Sequence, residues 1–432
     1  MAFLEPPMLG EEHFSDEQGV AYEYAVLPYL CGDCELTGSG RAITGRWELT
    51  VPLNGEAKLF VHTCVTEPMD LSLGPGITPS RWSLVGQSED QQWSVRCEAL
   101  WAASCSSSSN WDHNRHKVVF DQGITLKRID RVEPTAIRGW MRNLDLSATR
   151  PTTVHLAGRD VSFAGAPQNR DCQGLLKKQV VDRALLSMVT VPIVVDGDSS
   201  EARTVLDRLG WMATVAVLQS VHPPVVEELA GDETIGYAIR NTVSMPYRSS
   251  GLIDLWSCTA YEGQFVGFWE FFRGCYDRFA ELDAAISFDR VVSLMMATVE
   301  QKYPTFRLAG LLMCYERFCA DLLTFLGDPL AGDPNVEQKL NRLHKNHLKL
   351  DKHLRRGGSE LRKSIRNPLM HEGLIEAAPL LQQLEWFNNY WDQFLQILLI
   401  ALQYQGQYLS PITHIPTDLP ASPLNPPQTL AD

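Results

Sequence analysis

The chain has 432 residues, with 38 Lys and Arg against 52 Asp and Glu, for a formal charge of −14 at pH 7. Its 44% hydrophobic and 21% charged content is that of an ordinary globular protein, which excludes a fibrous or globally disordered chain. At roughly 100–200 residues per domain the length predicts two or three domains, and the sign of the charge excludes a uniformly basic nucleic-acid coat, so any contact with RNA must come from a local basic patch.

The opening MAFLEPPMLGEEHF has neither a basic n-region nor a useful apolar h-region, so no secretory leader is expected. No apolar stretch is long enough to span a bilayer. Ten cysteines make no disulfide framework at this length, and the expectation is reduced thiols in a cytoplasmic protein without membrane contact.

Residues 1–24 carry Glu5, Glu11, Glu12, Asp16, Glu17 and Glu23 and form an acidic lead-in. From 25 to 198 the pattern has a period near two. The runs 46–51, 58–64, 93–98, 117–120 and 153–156 are rich in β-branched and aromatic residues. Gly38-Ser39-Gly40, Gly74-Pro75-Gly76, the serine run 105–110 and Gly197-Asp198 separate them as turns. This predicts a mostly antiparallel β domain, a sandwich or open barrel, with its tryptophans in the core.

Residues 199–221 have helical spacing, opened by Asp198-Ser199-Ser200-Glu201 in a capping-box pattern. They begin a mixed α/β connecting region that extends to 285. From 286 to 408 the signal is helical, with helices expected at 288–303, 305–327, 336–356, 359–366 and 379–405. The last is the clearest, because Leu380, Leu384, Phe387, Trp391, Phe394, Leu398 and Leu402 recur every three or four residues. Residues 409–432 are proline-rich and predict a disordered tail. The fold class expected is α+β and multidomain, with a β-rich N-terminal domain and an all-α C-terminal bundle.

Ten basic against two acidic side chains leave 339–366 at +8 in a chain of −14, so the remainder carries −22. Leu340, Leu343, His347, Leu350 and Leu354 mark an apolar face, which places His347 in the core. Lys345, Lys349, Lys352, Arg355, Arg356, Arg362 and Lys363 are the candidates for contacting RNA phosphates. The same pattern suits a solvated helix that balances an acidic neighbour, and charge alone does not choose between them.

The residues Ser364-Ile365-Arg366-Asn367-Pro368-Leu369-Met370-His371 set an Arg and a His with four residues between them. With 27 Arg and 11 His in the chain, about two pairs with spacers of four to six residues arise by chance, and Arg150…His155 and Arg342…His347 also fit. Geometry separates the third pair. Five positions along an unbroken α-helix turn a side chain by about 140°, and five along a strand put it on the opposite face. Around Arg366 the helix is expected to break, because Pro368 suits the first turn of a new helix and Asn367 its N-cap. Arg366 and His371 then reach one cleft, where helix N-terminal N–H groups and a guanidinium would hold a phosphate. His371, with an ordinary pKa near 6.5, could carry a proton.

On these residues the segment 286–408 resembles the HEPN superfamily, whose nucleases carry an Arg-x4-6-His motif, often with a polar residue after the Arg. The order of a β-rich half followed by this helical domain looks like the ApeA-type anti-phage defence proteins. The resemblance implies a metal-independent endoribonuclease without cofactor, in which the 2′-OH attacks its own 3′-phosphate. It implies a homodimer that brings two motifs into one groove, and a phage-derived or protein trigger sensed by the N-terminal domain. It also implies a Glu on an earlier helix near the site, for which Glu300 is the first candidate and Glu316 the second. The proline inside the motif departs from the usual pattern. A non-catalytic reading therefore stands beside it: an inactive HEPN domain used for dimerisation, with a β domain that binds a peptide or glycan.

Other constellations are weaker. Cys31-Gly32-Asp33-Cys34 could hold zinc only with two more ligands, such as His62 and Cys64, and otherwise gives buried or turn thiols. His113-x-x-His116 reads as a solvated loop end before a metal site. No Walker loop, nucleophile elbow or dinucleotide fingerprint is present, so no nucleotide cofactor is expected.

Overall fold

The computed structural model describes residues 27–38, 40–52, 55–64, 69, 81–107, 113–130, 132–146, 151–167, 176, 184–194, 197–240, 266–330, 334–348, 350, 362–368, 378–412 and 416–419. Its contacts divide the chain into two units. One comprises Met1–Thr153, Arg159–Asp207 and Val221–Tyr247; the other comprises Val154–Gly158, Arg208–Ser220 and Arg248–Asp432.

In the first unit the period-two segments become strands β1 (Leu27–Gly38), β2 (Arg41–Val51), β3 (Lys58–Cys64), β4 (Trp82–Ser88), β5 (Trp93–Ser107), β6 (His113–Phe120), β7 (Ile124–Arg128) and β8 (Ala136–Arg142). β9 (Thr152–Leu156) straddles the division, and β10 (Arg159–Gly165), β11 (Leu185–Pro192), β12 (Val225–Ala230) and β13 (Glu233–Ile239) complete the set. Pairing runs β4-β1-β2-β3-β6-β5, and β5 returns to β4, so six antiparallel strands close a barrel. Closure removes the free edges that an open sheet would expose. The same sheet continues from β5 through β7-β13-β12-β8-β11-β10.

β5 does both jobs by bending. One edge follows β4, while the other pairs with β7 over Trp93–Cys97 and with β6 over Leu100–Ser107. At the bend two residues of β5, Glu98 and Ala99, face Ser83 of β4, and Ala99 takes a φ of 52°, as an extra residue in a strand requires. Alternate residues such as Leu36, Trp47, Leu49, Val61, Trp82 and Leu84 fill the interior. The serine run expected as a turn is partly strand, because Cys105, Ser106 and Ser107 continue the ladder with β6. His116, expected at a solvated loop end, lies on β6 with no exposed surface, its Nε2 3.0 Å from Thr63 Oγ1. Alternation along β6 turns it inward with Val118.

Helix α1 (Ser199–Val217) begins where the sequence places it, and the division falls within it. Asp198 caps it by accepting from the Ser200 N–H at 3.0 Å, and these bonds from Ser200 hold its carboxyl below the usual range. The reciprocal half of the expected capping box is missing. Glu201 instead takes a bond of 2.8 Å from the buried Arg159 guanidinium, a charged donor that outbids a backbone N–H. The separate connecting region 199–285 is also not observed, because β12 and β13 lie in the sheet of the first unit, where strand pairing outweighs adjacency to a helix.

The second unit contains α2 (Val266–Ile286), α3 (Phe288–Glu300), α4 (Pro304–Phe325), α5 (Val336–Leu343) and α6 (Leu380–Ala401). π-Helical turns follow at His344–Leu348 and Arg362–Arg366, and β14 (Gln407–Leu409) pairs with β15 (Pro416–Asp418). α4 is the hub: α2, α3, α5, α6 and the second π turn all pack on it. It opens with Pro304 at its first turn and buries Leu308, Leu311, Tyr315, Phe318 and Leu322. Phe318 meets the rings of both Phe288 and Phe394, tying α3 and α6 to the same core. α2, read as part of a mixed segment, is a helix with Phe268, Phe271 and Phe272 fully buried.

Two helical expectations change, and so does that for the tail. The helix expected over 336–356 is α-helical only to Leu343, widens into the π turn to Leu348, and passes outside the described residues beyond Leu350. The break expected at Arg366 is not there: the backbone is helical without interruption from Arg362 to Pro368, so Asn367 is no N-cap. Pro368 has no N–H for the Ser364 carbonyl, and a widened turn just before it accommodates the ring without ending the helix. The tail expected to be disordered from 409 is ordered through residue 412 and at 416–419. Tyr408 is 2% exposed and donates to Asp392 Oδ1 at 3.2 Å, which anchors the β14–β15 pair. The acidic lead-in 1–24 and Gly74-Pro75-Gly76 lie outside the described residues.

Candidate active site

The second π turn sets its residues by what they touch. Ile365 is 1% exposed in a turn that packs on α4, and the next side chain, Arg366, comes to the rim of that contact. There its Nε donates to Glu316 Oε1 at 3.0 Å, with both side chains about one-third exposed. Glu316 follows Tyr315 on α4, whose buried hydroxyl donates to the Tyr390 carbonyl oxygen at 2.9 Å and fixes that turn against α6. From the other side Lys339 of α5, itself buried, donates to the Glu316 carbonyl oxygen at 3.2 Å. The α4 backbone at residues 315–316 is thus held from two neighbouring elements, and the Glu316 carboxylate holds one edge of the guanidinium. Among the described residues the Nη groups of Arg366 have no carboxylate partner. Such a side-on grip leaves the fork of donors that suits a phosphate.

Of the expected site residues, Arg366 is therefore on a polar rim of α4, Asn367 is exposed beside it, and His371 lies outside the described residues. Glu300 ends α3 and is exposed. The carboxylate that meets Arg366 is Glu316, the second of the two candidates. The fifty positions between 316 and 366 carry no periodic signal that could have chosen it.

The basic stretch is partly spent on neighbouring acids. Arg342 grips Asp328 through Nε at 3.0 Å and 2.9 Å and Nη2 at 2.7 Å, and Asn346 and His347 join the same carboxylate at 2.6 Å and 3.0 Å. The hydrogen bonds from Arg342 first, then Asn346 and His347, keep Asp328 well below the ordinary carboxylate range. His347 is thus half-buried in a polar cluster at the end of α4 and not in an apolar core, because the π turn rotates it off the Leu340–Leu343 face. Arg362 sits 3.6 Å from Glu337. Lys345 and Lys363 are exposed. Lys349, Lys352, Arg355 and Arg356 lie outside the described residues.

The other cysteine and histidine clusters do not assemble. Cys31 and Cys34 are free thiols on opposite faces of β1, as an odd spacing along a strand requires, so they cannot share one metal. Burial pushes the Cys34 thiol up to about 12. Among the described residues no group of three or more His, Cys, Asp or Glu is placed to hold a metal ion. Also among them, no helix is long and apolar enough to cross a membrane.

Compared with known proteins, the chain matches no family model, no curated protein and no solved structure.

Proposed function

We propose that the chain is a metal-independent endoribonuclease of the HEPN type, cytoplasmic, acting as a homodimer and serving as an anti-phage, abortive-infection effector of the ApeA kind. The observation that carries the reading is the Glu316–Arg366 contact, which fixes a guanidinium at the rim of the helical unit with its outer donors free among the described residues. In this reading Arg366 binds the scissile phosphate and stabilises the charge that develops on it. His371 takes the 2′-OH proton, and its counterpart from a second copy returns a proton to the leaving oxygen. Asn367 lines the groove, and Lys345 and Lys363 extend the phosphate path. The first unit senses the trigger or restrains the nuclease.

A second reading has one observation in its favour. Arg342 and Arg362 already face Asp328 and Glu337, as expected of a helical unit used only for docking, with the first unit binding a peptide or glycan. Cleavage of RNA by the purified chain in EDTA separates the two. The nuclease reading expects fragments ending in 2′,3′-cyclic phosphate, lost in both Arg366→Ala and His371→Ala. Cleavage that survives either substitution refutes the assignment of the site to Arg366 and His371, while growth equally unaffected by overexpressed wild type and His371→Ala favours the docking module.

A further inference from the structure

We infer that the outer face of the barrel carries a docking groove for an extended peptide, with a lysine or arginine side chain of that peptide seated between Asp33 and Glu35.

The groove follows from three small residues in register. Gly45 of β2, Cys34 of β1 and Gly86 of β4 lie side by side, and all three face the barrel interior. A Cβ on Gly45 would sit 2.4 Å from the His62 carbonyl oxygen, and one on Gly86 would sit 2.4 Å from that of Asp33. Glycine at both places lets the neighbouring backbone approach more closely than a side chain would allow. The outer surface along this row is a cleft of about 670 Å³, a size that suits a few residues of ligand.

Its walls are the outward residues on either side of the row. One wall carries Gln87, Asp33, Arg46 and His62; the other carries Val85, Glu35, Thr44 and Cys64. The groove therefore crosses four strands, about 14 Å from β4 to β3 at the usual strand spacing. That is the span of about four extended residues.

Charge sets the occupant. Arg46, opposite Asp33 in register and drawn to both Glu89 and Asp33, is engaged by Glu89, and His62 Nε2 lies 3.0 Å from Glu48, which also faces Arg115 at 3.3 Å. Asp33 and Glu35 are both exposed, and they flank the groove about 7 Å apart as residues i and i+2 of one strand. An ammonium or guanidinium between them reaches both carboxylates. Val85, 57% exposed at the β4 end, offers apolar surface for the stem of such a side chain or for its neighbour.

This site lies wholly in the first unit and is measured without RNA, so its fate is separate from that of the nuclease reading. The test uses the full chain and a set of N-acetylated, C-amidated pentapeptides with varied flanks and Arg, Lys, Gln or Glu at the centre. Isothermal titration should show the Arg and Lys members binding at least about tenfold more tightly than the Gln members, with affinity falling as salt rises. Asp33→Asn with Glu35→Gln should abolish that preference while leaving the melting temperature unchanged. Equal binding of all four central residues, binding of none, or a preference that survives the double substitution overturns the inference.

Discussion

Replacing Glu316 by Gln separates holding the fold from positioning Arg366, because the two effects differ in size. The ion pair joins side chains that are 29% and 33% exposed, so solvent screens it. Such pairs contribute no more than about 1 kcal/mol to stability. In a unit of this size that moves the melting temperature by about 2–4 °C at most. Positioning is costlier to lose. A guanidinium freed from its carboxylate samples many rotamers, and a displacement near 1 Å from a transferring phosphate costs a rate factor of about 100. E316Q should therefore melt close to wild type yet cleave RNA about 100-fold more slowly in EDTA. In an Arg366→Ala background the same substitution should change the rate no further, since the two side chains act as one unit. Scanning calorimetry and single-turnover cleavage of a labelled RNA measure both quantities. An E316Q protein that cleaves within threefold of wild type would refute the argument that Glu316 positions Arg366.

Acid should weaken the first unit through His222, whose imidazole burial depresses to about 4. The folded imidazole stays neutral while the unfolded one protonates below about 6.5, so stability is full above that pH and falls as pH drops toward 4. The loss should reach about 3 kcal/mol near pH 4, and urea titrations at pH 7 and pH 4.5 should show it in wild type and not in His222→Gln. Tyr408→Ala removes a 2%-exposed aromatic from the helical unit and should cost about 3 kcal/mol by urea denaturation. Tyr408→Phe loses only the hydroxyl, with its bonds to Asp392 and Gln396, and should cost about 1 kcal/mol; equal costs for the two would show that packing of the ring contributes nothing.

Local periodicity was a good guide wherever one face of an element is buried. The period of two at 46–51 and 58–64 became β2 and β3, with Trp47, Leu49 and Val61 inside. The three-four spacing from Leu380 to Leu398 became α6. Asp198 before Ser199 marked the start of α1, because a cap needs only its own next few residues. These features depend on neighbours in the chain, and their signal is written along it. Closure of the barrel depends instead on β4 meeting β5 and on Ala99 bending one strand between two partners. A groove above Gly45, Cys34 and Gly86 exists only once register aligns residues some forty positions apart. Pro368 read as a helix break in isolation, yet the turn that buries Ile365 and packs on α4 runs on, widened, into the proline. The choice of Glu316 as the partner of Arg366 is of the same kind. Residue types and short spacings specify which chemistry is at hand, while long-range packing selects the carboxylate and guanidinium that share a surface, because the free energy of burying Ile365 and Tyr315 is gained only against partners far away in the chain.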